Sequence, residues 1–239
     1  MSPQHTLKAF DHDLEEIRDK VLGMARMTSQ ELHDCFQAFS ERDEALATDA
    51  SGADELINAS ERQIDELIVR ALTRRQPMAS DCRNLIAALR ISRDLERIGD
   101  YATNIANHST TLDQLQTTGE EQRVLDLGHA VQTMLDEAIQ AYAEGDAALA
   151  ETVRDQDEDI DRLYTKIFSD LVEISRGQGE AACASIHLLF IARSLERIGD
   201  HITDIAEEII YVINGDFPED ERHKADESAF VLPGTTIEE

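Results

Sequence analysis

The sequence predicts an all-α protein: two tandem, similar three-helix bundles built from six long helices. Three features point there: a helix-favouring composition, turn residues that cut the chain into six periodic segments, and a hexapeptide that occurs twice. Of 239 residues 41% are hydrophobic, yet aromatics are only 5%, tryptophan is absent and prolines number four. Ala, Leu and Ile carry the apolar load among Glu, Asp, Arg and Gln. That mixture propagates helices, and no alternating run rich in β-branched residues competes with it.

The first helix is expected from about Thr6 to Ser40 and the second from Asp43 to about Arg75. Gln76-Pro77 stops the second, because proline lacks the amide a helix interior needs. Ser80 is a suitable N-cap for a third helix running to about Ser109. Thr110 to Gly119 lacks periodicity and reads as a linker. The fourth helix occupies about Glu120 to Ala143, and Gly145-Asp146 turns into a fifth that ends near Arg176. Gly177-Gln178-Gly179 breaks the chain, and the sixth helix runs to Asn214, where Gly215 closes it. The expected organisation is a first bundle over 1–112, a second over 118–215, and an acidic, mobile or loosely docked tail over 216–239.

The halves repeat one another. Ala38-Phe39-Ser40-Glu41 aligns with Ala141-Tyr142-Ala143-Glu144 at an offset of 103, which also superposes Ile57 on Ile160 and Ile64 on Ile167. In the third helix of each half the offset is 100, and Leu-Glu-Arg-Ile-Gly-Asp at 95–100 recurs unchanged at 195–200.

Charge excludes some functions. Fifty acids against 22 bases give a net −28, the wrong sign for displacing counterions from nucleic acid. No window of 18 apolar residues exists, so direct membrane insertion is not expected. No secretory signal is evident. Cys35, Cys82 and Cys183 form no CxxC pair and fit a reduced, cytoplasmic setting, with burial their expected state.

On a helical wheel, Ile91, Leu95, Ile98, Ala102 and Ile105 make one apolar stripe, the expected core face of the third helix. Glu96 and Asp100 lie about 160° to 200° from Ile98 and are expected to point outward with Arg93 and Asn104. Glu196, Asp200, Asp204 and Arg193 repeat the arrangement. Gly99 and Gly199 inside the motif each cost about 1 kcal/mol against alanine, which implies close approach or room for something bulky. The second and fifth helices supply Asp54 and Asn58, and Asp157 and Asp161, again four apart. An oxygen-only set of this kind suits a hard cation, or iron, manganese or magnesium. Arg97 and Arg197 offer the opposite reading, in which guanidiniums pair with the acids and leave no vacancy. His108 and His201 flank the motif and read as surface histidines, and Ile209 to Ile213 as packing or a dimer seam.

Arg-x-Leu-Glu-Arg-Ile-Gly-Asp at 93–100 and 193–200 resembles the paired signature of the PhoU family of bacterial phosphate-signalling proteins. Arg75-Gln76-Pro77-Met78-Ala79-Ser80-Asp81-Cys82-Arg83, Glu15-Glu16-Ile17-Arg18 and the pairs at 54–58 and 157–161 resemble that family as well. The resemblance implies two similar three-helix bundles and a homodimer. It also implies a non-catalytic adaptor that negatively regulates the phosphate-starvation response and modulates phosphate uptake. Its implied partners are the ATPase of a phosphate ABC transporter and a membrane sensor histidine kinase, met at the cytoplasmic side of the inner membrane. By resemblance, Glu96, Asp100, Glu196, Asp200, Asp204, Asp54, Asn58, Asp157 and Asp161 would hold metal (Fe, Zn, Mn or Mg), and Arg93, Arg97, Arg193 and Arg197 would meet partners. Asn58 departs from the family pattern, and Asn104 stands where the second repeat has Asp204, so weaker binding is expected in the first bundle. Two other readings stay open: a metal-free helical adaptor, and a carboxylate-bridged di-metal enzyme. Against the enzyme, none of the eight histidines follows a glutamate by three, as interior di-metal sites require.

Overall fold

A computed structural model describes residues 3–43, 46, 54–75, 79–218 and 224–231. It contains α1 (Pro3–Glu41), α2 (Asp54–Arg75), α3 (Ala79–Leu112), α4 (Glu121–Glu144), α5 (Ala147–Ser175) and α6 (Glu180–Asn214), then a 3₁₀ turn, Ser228–Phe230. The chain is all-α in two similar three-helix halves. Most of the expected start of the second helix, between Asp43 and Asp54, and the Pro77 stop lie outside the described residues.

Turn chemistry fixes the boundaries. Gly145 takes the left-handed conformation (φ 67°) that glycine adopts without strain. Asp146 then caps α5, its carboxylate accepting from the amides of Ala148 and Leu149. Gly215 ends α6 with φ 90°. The stretch expected as a linker is shorter than its sequence suggested. α3 continues through a buried Leu112, and the amides of Thr118 and Gly119 donate to the Glu121 carboxylate.

α3 and α6 are central. α3 packs on α1, α2 and α6, α6 packs on α3, α4 and α5, and α1 also meets α4. The stripe Ile91, Leu95, Ile98, Ala102 and Ile105 is core as expected, each residue no more than 2% exposed. One hydrophobic cluster runs through both halves. Of the run near the end of α6, Ile209 and Ile210 are buried and Ile213 is exposed. The cysteines do not share one fate: Cys35 is buried, Cys82 half-buried and Cys183 exposed, all free thiols. Among the described residues no helix is long and apolar enough to cross a membrane.

A glycine locks the halves together. A Cβ on Gly128 of α4 would lie 2.3 Å from Cε1 of Phe36 on α1, so the ring rests directly on the α4 backbone. Gly128→Ala would gain about 1 kcal/mol of helix propensity. It would also force a buried aromatic out of place, at about 2–3 kcal/mol for so close a clash. Net destabilisation of about 1–2 kcal/mol is expected in urea melts. Adding Phe36→Leu should recover part of it, and a Gly128→Ala protein as stable as the parent would refute the contact.

Candidate functional site

In the first half the acids gather along the groove between α2 and α3. Asp54 and Asn58 come from α2 and Glu96 and Asp100 from α3, all half-buried. Asn58 donates to Asp54 Oδ2 at 2.9 Å. Arg97 reaches both α3 acids, Nη1 to Asp100 at 3.0 Å and Nε to Glu96 at 3.5 Å.

A fifth oxygen-bearing side chain joins them from α1. Glu31 is 1% exposed and accepts a hydrogen bond from Thr103 at 3.1 Å through Oε1. Its Oε2 has no hydrogen-bond partner, nor have the buried Oδ1 atoms of Asp54 and Asn58. Gly99 makes room for it, since a Cβ there would stand 3.2 Å from Glu31 Oε2 and 3.3 Å from Ile57. The close approach inferred from the motif glycine is therefore real. Sequence reasoning missed Glu31, although one signal was present: an acid on the face of α1 that also carries Val21, Met24, Thr28 and Cys35, all buried.

The second half is arranged differently, and it corrects the outward placement of the motif. Asp157, Asp161 and Glu196 are buried, at 1%, 2% and 5% exposure. A wheel drawn for one bundle assumes one buried side, whereas α6 has helices on several sides and the tail over what remains. Residues 224–231, expected to be mobile or loosely docked, lie across the motif. Lys224 Nζ is 3.2 Å from Asp200 Oδ1, and the Ala225 amide donates to Asp161 Oδ2 at 2.9 Å. Arg193 holds Asp226 at 3.3 Å, and the Glu227 amide donates to Thr165 Oγ1 at 3.1 Å. Arg197 binds Asp200 from the other side at 3.2 Å. Gly199 is tight as well, a Cβ there lying 3.3 Å from Ile160 and 3.4 Å from Asp157.

Asp204 leaves the motif set. It is exposed and groups with Asp94 and His201 on the seam between α3 and α6. These are the only three His, Cys, Asp or Glu residues among those described whose ligand atoms all fall within 4.8 Å of one another. Of the arginines expected to meet partners, Arg97, Arg193 and Arg197 are held by nearby acids, and Arg93 is exposed. His201 and His108 are not free surface groups. His201 Nδ1 lies 3.0 Å from Asp94, and His108 stacks on Phe190 and bonds His187.

Burial governs the protonation of these acids. Glu31 is pushed up to about 8 by desolvation, with Asp54, Asp100 and Asp34 repelling its charge against the Thr103 bond. Asp54 and Glu96 are raised by desolvation and then by Asp100. Glu196 rises to about 7, because burial and the like charge of Asp200 outweigh Arg193 and Arg197, each 3.5 Å away.

The first half fits a cation. Three orphaned buried oxygens, one from α1 and two from α2, face one groove, and such atoms cost free energy until a proton or an ion satisfies them. In either motif no three carboxylates lie within 4.8 Å of one another, so one ion would have to draw them inward.

The PhoU domain family model matches the chain twice, over residues 21–108 and 124–209. A phosphate-specific transport system accessory protein PhoU homolog of Rhizobium meliloti (strain 1021) is 35% identical over 227 residues, 95% of this chain and 96% of that protein. A relative of the same description from Pseudomonas aeruginosa is 38% identical and covers 88% of each chain. The crystal structure of PhoU from Pseudomonas aeruginosa superposes with a TM-score of 0.84 at 37% identity, over 87% of this chain and all of that one. The phosphate transport system regulatory protein PhoU from Streptococcus pneumoniae gives 0.80 at 25% identity, over 88% and 99%.

Glu31 sets a pH dependence. Its folded-state pKa lies above the ordinary glutamate value of 4.5, so the stability contributed by the protonated form is complete below about pH 4.5 and is lost as pH rises through about 8. In chelator-treated protein, Glu31→Gln should be more stable than the parent by about 3 kcal/mol at pH 7.5 and nearly equal to it at pH 4.5. Parallel stability curves in urea melts across this range would show that Glu31 does not carry the proton.

Proposed function

The chain belongs to the PhoU family, proteins associated with phosphate transport, and from that premise we propose that it is a non-catalytic adaptor. It binds the ATPase of a phosphate ABC transporter and a membrane sensor histidine kinase, restrains the phosphate-starvation response and modulates phosphate uptake. Its action is to shift the conformational populations of those partners, which requires only that it bind one state of each better than the other. Placement at the cytoplasmic side of the membrane follows from the partners, since a net charge of −28 opposes anionic lipid. The same charge disfavours phosphate as a direct ligand. The transporter is then the element that reports phosphate.

The observation that carries this reading is the unequal exposure of two copies of one motif. The first repeat (1–112) leaves Glu96, Asp100 and Asp54 half-buried. The second (118–215) has its acids beneath residues 224–228. Two faces of common origin and different accessibility suit two different partners, taken singly or by a homodimer.

Glu31, Asp54, Asn58, Glu96 and Asp100 are the residues that would hold a cation in the first repeat, with Asp157, Asp161, Glu196 and Asp200 in the second. A bound iron, zinc, manganese or magnesium ion would neutralise the crowded acids and fix the groove. Glu31, giving up its proton to a bound ion, would supply the charge that Asn58 lacks, and in the second repeat Lys224 and the Ala225 amide already satisfy acid oxygens. The ranking drawn from Asn58 and Asn104 therefore reverses, and the first repeat becomes the stronger site. A metal-free adaptor is favoured by one feature: Arg97 and Arg197 each span both α3 or α6 acids of their motif. Elemental analysis of protein purified without chelator separates the two.

Two measurements test the proposal. Manganese titration should resolve a tighter class lost in Glu31→Gln and a weaker class that tightens when residues 216–239 are deleted; one uniform class in both would refute the asymmetry. Pull-downs against transporter ATPase and sensor kinase should lose at least one partner in Asp100→Ala or Asp200→Ala. Full retention of both partners in both variants would remove the motif from the interface.

A further inference from the structure

We infer that the seam between α3 and α6 carries a second kind of metal site, present once among the described residues, for a borderline divalent cation such as zinc. Its ligands are Asp94, His201 and Asp204, whose ligand atoms lie within 4.8 Å of one another. His201 Nδ1 is already 3.0 Å from Asp94 Oδ1, close to the separation of two donors sharing one small ion. Tyr101 lies 5.9 Å from the His201 ring, centroid to centroid, and steadies it. His201 and Asp204 are three residues apart on one face of α6, and Asp94 faces them from α3.

An independent observation points to a ligand at the same place. Asp94 and Asp204 line a cleft of about 230 Å³ together with Arg90, Arg93, Glu207 and Glu208. Glu208, one turn beyond Asp204, is 6% exposed and gives Oε1 to Arg90 at 2.6 Å. Its other oxygen, Oε2, is buried and has no hydrogen-bond partner. A buried acid oxygen left unsatisfied in a cleft lined by two of the three donors, Asp94 and Asp204, is what a cation would relieve.

The donor set separates this site from the paired motifs. Those are built of oxygen alone and recur in both halves. Here an imidazole joins two carboxylates, a set suited to zinc with a fourth position open to water. At the repeat offset of 100, Asp94 corresponds to Ser194, His201 to Tyr101 and Asp204 to Asn104. The related end of the seam therefore lacks the ligands, and the site arose after the halves diverged. An ion held there would tie α3 of one half to α6 of the other.

The test uses the full chain, stripped with chelator and titrated with zinc chloride and cobalt(II) chloride. His201→Gln and Asp204→Asn should each weaken one equivalent of zinc by roughly tenfold or more, and remove a visible cobalt band that Glu31→Gln and Asp100→Asn retain. Zinc should also raise the thermal midpoint of the parent by more than that of the variants. If His201→Gln fails to fold, the exposed Asp204→Asn decides the matter. Parent-like zinc stoichiometry and affinity in Asp204→Asn would overturn the site.

Discussion

Everything at the motif depends on how closely the third helix of each half approaches the second. Gly99 and Gly199 permit that approach: a Cβ at either position would press on Ile57 and Glu31, or on Ile160 and Asp157. The close fit draws acids into grooves that water reaches poorly, in a chain already rich in negative charge. Desolvation then raises the affinity of those acids for protons, and by the same electrostatics for metal ions. The glycine, the buried acid and the appetite for positive charge are one constraint seen at three levels.

The two halves meet that constraint by different routes. In the first, Arg97 serves the α3 acids, and Glu31, Asp54 and Asn58 keep unsatisfied oxygens. In the second, Arg193, Arg197, Lys224 and the Ala225 amide serve the acids, and Glu196 Oε2 keeps no hydrogen-bond partner. Along the α3–α6 seam the pairing has diverged as well. Arg90 with Glu208 makes one end polar, while Phe190 stacked on His108 makes the corresponding end aromatic. A duplicated fold has kept its hydrophobic stripe and rewritten its electrostatics.

What could be read from the chain, and what could not, follows the range of the interactions. The Gly145-Asp146 turn and the Gly215 stop are local, so residue type alone reports them. The hexapeptide exposes the duplication, and the wheel finds the core stripe. The burial of Asp157, Asp161 and Glu196 is not local, because it depends on neighbours from other helices and from the tail. Glu31 was within reach, since an acid on an otherwise buried helical face is anomalous. The tail's docking left no trace in residue type, because two of its bonds begin at peptide amides. The meeting of Asp94 with His201 depends on how α3 crosses α6, which no periodicity encodes.

The main-chain character of the tail's attachment has an evolutionary consequence. Positions 225 and 227 offer only their N–H groups to Asp161 and Thr165, so almost any amino acid except proline can stand there and leave the fastening intact. Related chains could therefore drift freely at these two places while conserving the covered acids. An alignment would then score the segment as dispensable, even though removing it would uncover Asp161, a carboxylate only 2% exposed beneath it.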